Sequence, residues 1–433
     1  MKDARRAAAD ALLAVERGAY ANLALKDELP KVPAEHRAFC SALVYTALEH
    51  QIYLDWLIAR FTKGSVKPAA RIALRLGLCQ ALLMGVPESA AVNESVQLIK
   101  GMGKSALSGF VNGVLRTALR KRDALAPPSG KDAKSLSIRT STPEWIAEAF
   151  IERFGPDLAE EILSSVGEQG SIRVNALKAD VDSVKSALGF PTTCGRFVPE
   201  VLRFDSAEGD LSAHALFQQG QIALQSEASA LVCRVADPKP GEKVLDACAA
   251  PGGKTAALAA IAKNQADITA WDLHPHRVEL IKATCERLGV NGVTAEVKDA
   301  SVYDASYEKQ FDAVLVDAPC SGLGVAGKPD LRLKKTPGDV SALAKLQLAI
   351  LSACSKYVKP GGALVYSTCT ISKPENEGVT DAFLASHPDF FPGDLAPFFP
   401  ANFDQKRLTG GRVQLLPPVD GVNGFYLSRM HRK

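Results

Sequence analysis

A chain of 433 residues is too long for a single hydrophobic core, so two or three domains are expected. Hydrophobic residues make up 47% and charged residues 23%, the balance of a globular protein, and no apolar run approaches the ~18 residues that a membrane span needs. The net charge is only +3, but residues 1–130 hold 18 Lys+Arg against 11 Asp+Glu, which points to an anionic partner on the N-terminal part, nucleic acid first.

The N-terminus mixes Arg5, Arg6 and Arg17 with Asp3, Asp10 and Glu16 and lacks the apolar block of a secretory signal, so a cytoplasmic protein is expected. Residues 4–122 read as helix after helix. Ala4–Glu16 places Ala8, Ala11, Leu12 and Val15 near one face, and Thr46–Phe61 and Ala69–Met84 repeat the helical period. Strand signals are absent, which predicts an all-α bundle. Lys67, Arg71 and Arg75 recur at i, i+4 and i+8, and Arg116, Arg120, Lys121 and Arg122 close another helix. Such rows are usually solvated faces; here they are also candidate phosphate contacts.

Residues 123–142 contain Pro127-Pro128-Ser129-Gly130 without periodicity and are expected to be a linker. Thr142-Pro143-Glu144 then reads as a helix start. Residues 143–230 form a small α+β module, with extended Ser171–Asn175 and Val198–Phe204 around a helical Val181–Leu188.

From Leu231 to Lys433 the rhythm is strand, turn, helix. Val244–Asp246, Ile268–Asp272, Val293–Val297, Ala313–Asp317 and Ala363–Tyr366 are apolar runs, several ending at an aspartate, with helical Arg277–Leu288 and Val340–Tyr357 between them. This predicts a doubly wound α/β sheet of parallel strands that binds its ligand at the carboxyl ends. Asp246-Ala-Cys-Ala-Ala-Pro-Gly-Gly-Lys-Thr255 leaves the first strand and opens a helix, so Gly252 and Gly253 let the backbone approach a ligand. Asp272 and Asp299 follow the next two strands, where acidic side chains suit ribose hydroxyls and an adenine edge. Three acids at strand ends favour S-adenosylmethionine over a nucleoside triphosphate. The Gly-Lys-Thr ending keeps a phosphate-binding loop in play, although Cys248 stands where that loop wants glycine.

The nine cysteines (40, 79, 194, 233, 248, 285, 320, 354 and 369) are odd in number and never spaced Cys-x-x-Cys, against a disulfide framework or a structural zinc site. The histidines at 36, 50, 214, 274, 276, 387 and 431 show no ligand spacing, and no metal is expected. Cys320 and Cys369 stand apart. Each follows a strand and sits among small turn-forming residues, in Asp317-Ala-Pro-Cys320-Ser-Gly322 and Tyr366-Ser-Thr-Cys369-Thr370, which is poor company for a core side chain. A thiolate at that rim suits a reaction in which it adds to carbon 6 of cytosine and makes carbon 5 nucleophilic. Lys254 or a helix dipole would favour the thiolate, and Asp317 would hold the N3–N4 edge of the base. Spacing alone does not choose which cysteine attacks.

These three motifs together resemble the Sun/Fmu-type RNA cytosine-5 methyltransferases, and the likeness extends through Ile172-Arg173-Val174-Asn175 and Gln225-Ser-Glu-Ala-Ser229. Residues 1–122 are similar to the NusB-like RNA-binding domain of the branch that modifies bacterial small-subunit ribosomal RNA. The resemblance implies Cys369 as nucleophile and Cys320 in product release. It also implies cofactor contacts from Cys248, Ala249, Ala250, Pro251, Gly252, Gly253 and Lys254, and from Asp272, Arg277, Asp299 and Asp317. Ribosomal RNA is then the partner and a monomer is expected. Lys328-Pro329-Asp330 and Asn423-Gly424-Phe425-Tyr426 depart from the family pattern, at positions read as remote from the chemistry.

Overall fold

The computed structural model describes residues 1–165, 170–205, 210–325 and 329–433 and divides into two compact units, Met1–Ser164 with Lys328–Lys334, and Ser165–Gly327 with Lys335–Lys433. Lys328 of the Lys-Pro-Asp triplet lies outside the described residues.

The first unit is helical: α1 (Ala4–Glu16), α2 (Ala21–Glu28), α3 (Ala34–Glu49), α4 (Gln51–Phe61), α5 (Pro68–Leu82), α6 (Glu88–Gly101), α7 (Ser108–Arg120), α8 (Ala133–Thr140), α9 (Glu144–Phe154) and α10 (Pro156–Ser164). Its core gathers the apolar stripes of α1 to α7, with Ile72, Leu74 and Leu76 of α5 fully buried. The stretch Thr46–Phe61, read as one helix, is two. His50 leaves helical geometry, and the Ile52 N–H is given to the Ser141 hydroxyl at 2.8 Å. The stretch 123–142, read as a linker, contains α8, whose Leu136 and Ile138 are buried. With α9 and α10 it groups with the helical unit, so the contact boundary falls at 164/165 rather than at 142/143.

The second unit opens on an antiparallel sheet of order β2-β3-β1-β4, made of β1 (Gly170–Val174), β2 (Thr193–Cys194), β3 (Val201–Phe204) and β4 (Ile222–Leu224). It carries α11 (Val181–Leu188) and the short α12 (Ala215–Gln218). After α13 (Glu227–Ala236) comes the large sheet: β5 (Lys243–Asp246), α14 (Gly253–Ile261), β6 (Asp267–Asp272), α15 (Pro275–Leu288), β7 (Val293–Val297) and β8 (Phe311–Asp317). The chain passes through α16 (Pro329–Lys334), which belongs to the first unit, and continues as α17 (Pro337–Ser355), β9 (Val358–Thr368), α18 (Glu377–Ser386), β10 (Phe390–Pro392), β11 (Arg412–Leu415), α19 (Pro417–Asp420) and β12 (Phe425–Arg432).

The strand order is β10-β12-β9-β8-β5-β6-β7. β5 to β9 are parallel, and β12, with β10 and β11 beside it, closes one side antiparallel. The sheet is therefore mixed rather than wholly parallel. From β5 the chain winds outward through β6 and β7, then crosses back to β8, so the switch point lies between β5 and β8, where ligands of such sheets bind. Among the described residues no helix is long and apolar enough to cross a membrane.

Candidate active site

The loop from β5 to α14 is braced from below. Asp246 is fully buried and accepts from the Thr255 hydroxyl at 2.7 Å, and Ala249 N–H donates to Trp271 O at 2.8 Å. Gly252 turns the chain at φ +101°, and a Cβ there would meet Ile281 Cα at 3.0 Å and its carbonyl oxygen at 3.2 Å. A side chain has neither the backbone conformation nor the space. No side chain caps α14, so its first N–H groups remain for a ligand. Cys248 is held neutral because burial pushes its thiol well above the usual range.

Acids stand at the strand ends as expected. Asp272 accepts from the His274 N–H at 3.0 Å and lies 3.8 Å from the Arg277 guanidinium. Asp299 uses one oxygen to accept from the Ser301 N–H and hydroxyl. Asp317, ending β8, accepts from the Ser367 hydroxyl at 2.7 Å and pairs with Lys254 at 2.7 Å. Burial opposes the Lys254 charge, but the Asp317 carboxylate outweighs it, and the ammonium holds its proton more firmly than a free lysine. Among the described residues no group of three or more His, Cys, Asp or Glu side chains is placed to hold a metal ion.

Cys320 follows β8 and Cys369 follows β9, adjacent parallel strands, and their sulfurs lie 3.2 Å apart as free thiols. The hydrogen bond to Cys369, then burial, then the charges of Cys369 and Glu375 push Cys320 well above the usual thiol range. Cys320 thus holds its proton more firmly than a free thiol does.

Several residues of this site carry no motif of their own. Glu375 accepts from the Ser321 N–H and hydroxyl, Gln347 donates to Glu375, and the Ser321 hydroxyl meets that of Thr370. The run Lys373-Pro-Glu-Asn-Glu377 shortly after Cys369 was the available signal. The Asn-Gly-Phe-Tyr segment is not remote. Gly424 N–H donates to Gly324 O at 2.8 Å, Gly324 N–H donates to Cys369 O at 3.1 Å, and the Phe425 ring lies 5.8 Å from Lys254 Nζ. Tyr426 is buried with its hydroxyl 2.8 Å from that of Thr380, so a tyrosine is accommodated there. The basic row on α5 is also reassigned. Arg75 is buried and chelated by Asp55 and Glu16 and is structural, whereas Arg71 makes a surface pair with Glu16. Arg116, Arg120 and Lys121 stay exposed.

The family model described as 16S rRNA methyltransferase RsmB/F matches residues 233–431, and the NusB family model matches residues 2–120. A probable ribosomal RNA small subunit methyltransferase B of Bacillus subtilis is 38% identical, covering 99% of this chain and 98% of its own. The ribosomal RNA small subunit methyltransferase B of Thermus thermophilus is 33% identical over 99% of this chain and 97% of its own. The crystal structure of PH0851 superposes with a TM-score of 0.82 at 29% identity, covering 99% of this chain and 98% of that one.

Proposed function

The chain belongs to the 16S rRNA methyltransferase RsmB/F family, and from that membership we propose that it methylates carbon 5 of a cytosine in small-subunit ribosomal RNA through a covalent adduct with Cys369. The observation that carries the reading is the pair of thiols 3.2 Å apart at the carboxyl rim of the sheet.

The residues present fit S-adenosylmethionine. The backbone cradle at Gly252 would be filled by a Cβ, α14 offers uncapped N–H groups, and the surrounding acceptors are the carboxylates of Asp272, Asp299 and Asp317. Cys248 to Lys254 would line it, Asp272 with Arg277 beside it would take the ribose, and Asp299 the adenine. A triphosphate fits poorly, because Lys254 is engaged by Asp317 and the site is acidic. When bound, S-adenosylmethionine supplies the electrophilic methyl group that carbon 5 attacks.

Cys369, as thiolate, adds to carbon 6 of the cytosine and moves electron density to carbon 5. Asp317, held by Lys254 and Ser367, hydrogen-bonds the N3–N4 edge of the base. After transfer, carbon 5 gives its proton to a base, the electron pair re-forms the 5,6 double bond and Cys369 leaves as thiolate. Cys320, whose sulfur lies 3.2 Å from that of Cys369, assists this release and can take the proton only once it has given up its own. The helical unit would bind the RNA backbone through Arg116, Arg120 and Lys121, and a ribosomal RNA substrate puts the enzyme in the cytoplasm.

The test is methyl transfer from labelled S-adenosylmethionine to unmethylated small-subunit ribosomal RNA. Wild type should yield labelled 5-methylcytosine, Cys369→Ala none, and Cys320→Ala a stable protein–RNA adduct. An adduct from Cys369→Ala would reverse the two roles, and failure of wild type to bind adenosylhomocysteine would remove the enzyme reading.

A further inference from the structure

Glu375 is a fully buried carboxylate that touches no reacting atom in the chemistry proposed for the two thiols, yet its hydrogen bonds converge on the two loops that carry them. One oxygen accepts from the Ser321 N–H at 2.8 Å, one residue from Cys320, and from Gln347 Nε2 at 3.1 Å. The other accepts from the Ser321 hydroxyl at 2.6 Å, and that hydroxyl lies 2.8 Å from Thr370 Oγ1, one residue from Cys369. Gln347 also donates to Pro319 O at 2.9 Å, and the Tyr366 hydroxyl donates to the Glu375 carbonyl at 2.6 Å. The side chain thus reaches α17, the Cys320 loop directly and the Cys369 loop through a single hydroxyl. A buried acid is costly unless its lone pairs are met, and these are met by groups that need holding still.

The arrangement is asymmetric. The carboxylate contacts the backbone next to Cys320 directly, whereas its link toward the Cys369 loop runs through the Ser321 hydroxyl to Thr370. We propose that Glu375 is a positioning residue, which locks the two cysteine loops in register and, by placing its negative charge on the Cys320 side, keeps the shared proton on Cys320 so that Cys369 is the reactive sulfur. The proposal rests on the pairing of the two thiols and not on the identity of the RNA. The ionisable groups that act on the pair are Glu375, whose charge bears on Cys320, and Tyr366 on β9, which is near Cys320 and donates its hydroxyl to the Glu375 carbonyl.

The test uses the full-length, RNA-free protein and limiting iodoacetamide, in which a thiolate displaces iodide, with the two cysteines quantified by peptide mapping. Wild type should carry more label on Cys369 than on Cys320. Glu375→Gln retains size and most hydrogen bonds but loses the charge, and should lower the Cys369 to Cys320 ratio by ~3-fold or more. Glu375→Asp, which restores the charge, should recover much of the wild-type ratio. Ser321→Ala keeps the buried acid but cuts its link to Thr370, and should move the ratio the same way by less, which keeps the test open if Glu375→Gln fails to fold. A wild-type ratio in folded Glu375→Gln, or in Ser321→Ala if only that variant folds, would overturn the proposal. Because no RNA or methyl donor is present, failure here is distinguishable from failure of the methyltransferase reading.

Discussion

Asp246 lies fully buried under the Pro-Gly-Gly loop, with one oxygen met by Thr255 and the other without a hydrogen-bond partner. Burial pushes its carboxyl from the ordinary 3.8 up to about 6. Between those values the folded protein binds the proton more tightly than the unfolded chain, so this group's contribution to stability falls as pH rises through that window. Asp246→Asn removes the charge penalty, ~3 kcal/mol at neutral pH for a shift of that size, and leaves an amide N–H₂ at the unpartnered position, costing about 1 kcal/mol or more. The variant should therefore be more stable than wild type in urea denaturation at pH 8, by about 1–2 kcal/mol, and lose that advantage at pH 4. A wild type that is the more stable at pH 8 would show that the buried charge is better compensated than its contacts indicate. At this scale much of the candidate site was legible, because Asp272, Asp317, Cys320 and Cys369 lie in contiguous motifs at strand ends. Glu375 and Gln347 were not, since their importance lies in what the fold sets beside them. Ser367 is intermediate: it sits inside the Tyr-Ser-Thr-Cys motif, but only pairing of β8 with β9 sets it opposite Asp317.

Elements were legible where one face carries the signal and less so where a distant side chain decides. α1, α11 and β7 fall where their periodicity puts them. The break between α3 and α4 does not, because the apolar period runs through it and Ser141, far along the chain, takes the Ile52 N–H. The charged row on α5 misleads for the same reason: i, i+4 spacing identifies a face but not what covers it. Arg75 makes bonds of 2.6 Å to both Asp55 oxygens and 2.8 Å to Glu16. Both acids keep some solvent exposure, so Arg75→Ala should destabilise the helical unit by about 2–3 kcal/mol, below the cost of a fully buried pair. Arg71→Ala should cost under ~0.5 kcal/mol and leave RNA affinity near wild type. Arg116→Ala with Arg120→Ala should instead weaken RNA binding and flatten its salt dependence, with thermal stability unchanged. Equal stability losses from Arg71→Ala and Arg75→Ala would contradict the structural assignment. On the strand side, Gly252→Ala adds a methyl group at φ +101° against the backbone of Ile281. A loss of ~2 kcal/mol or more is expected, with weaker adenosylhomocysteine binding by calorimetry.

At the scale of the whole chain, the division into a helical N-terminal part and an α/β part was legible from the change of period, whereas the true extent of the helical unit was not. Nothing in residues 329–334 marks them as members of it; membership comes from contacts with α2, α3 and the turn before α2, far away in sequence. α2 has no side-chain cap of its own, and Asp330 supplies one, accepting from the Ala21 N–H at 3.0 Å while 6% exposed. Lys334 donates to the carbonyls of Gly18 and Ala19 and lies 4.9 Å over the Tyr20 ring, and Leu333 packs on the helical core. A carboxylate at a helix N-terminus meets an orphan N–H and the positive end of the dipole together, so removing it costs about 1–2 kcal/mol. Asp330→Ala should therefore speed amide exchange across Ala21–Glu28 by ~5- to 30-fold in hydrogen–deuterium exchange of the full chain. Exchange in β5 and β9, which belong to the other unit, should not change. Unaltered exchange in α2 would mean that Asp330 is merely adjacent to it, and acceleration in β5 and β9 as well would mean that the two units open together, so that the segment stabilises the molecule rather than one helix.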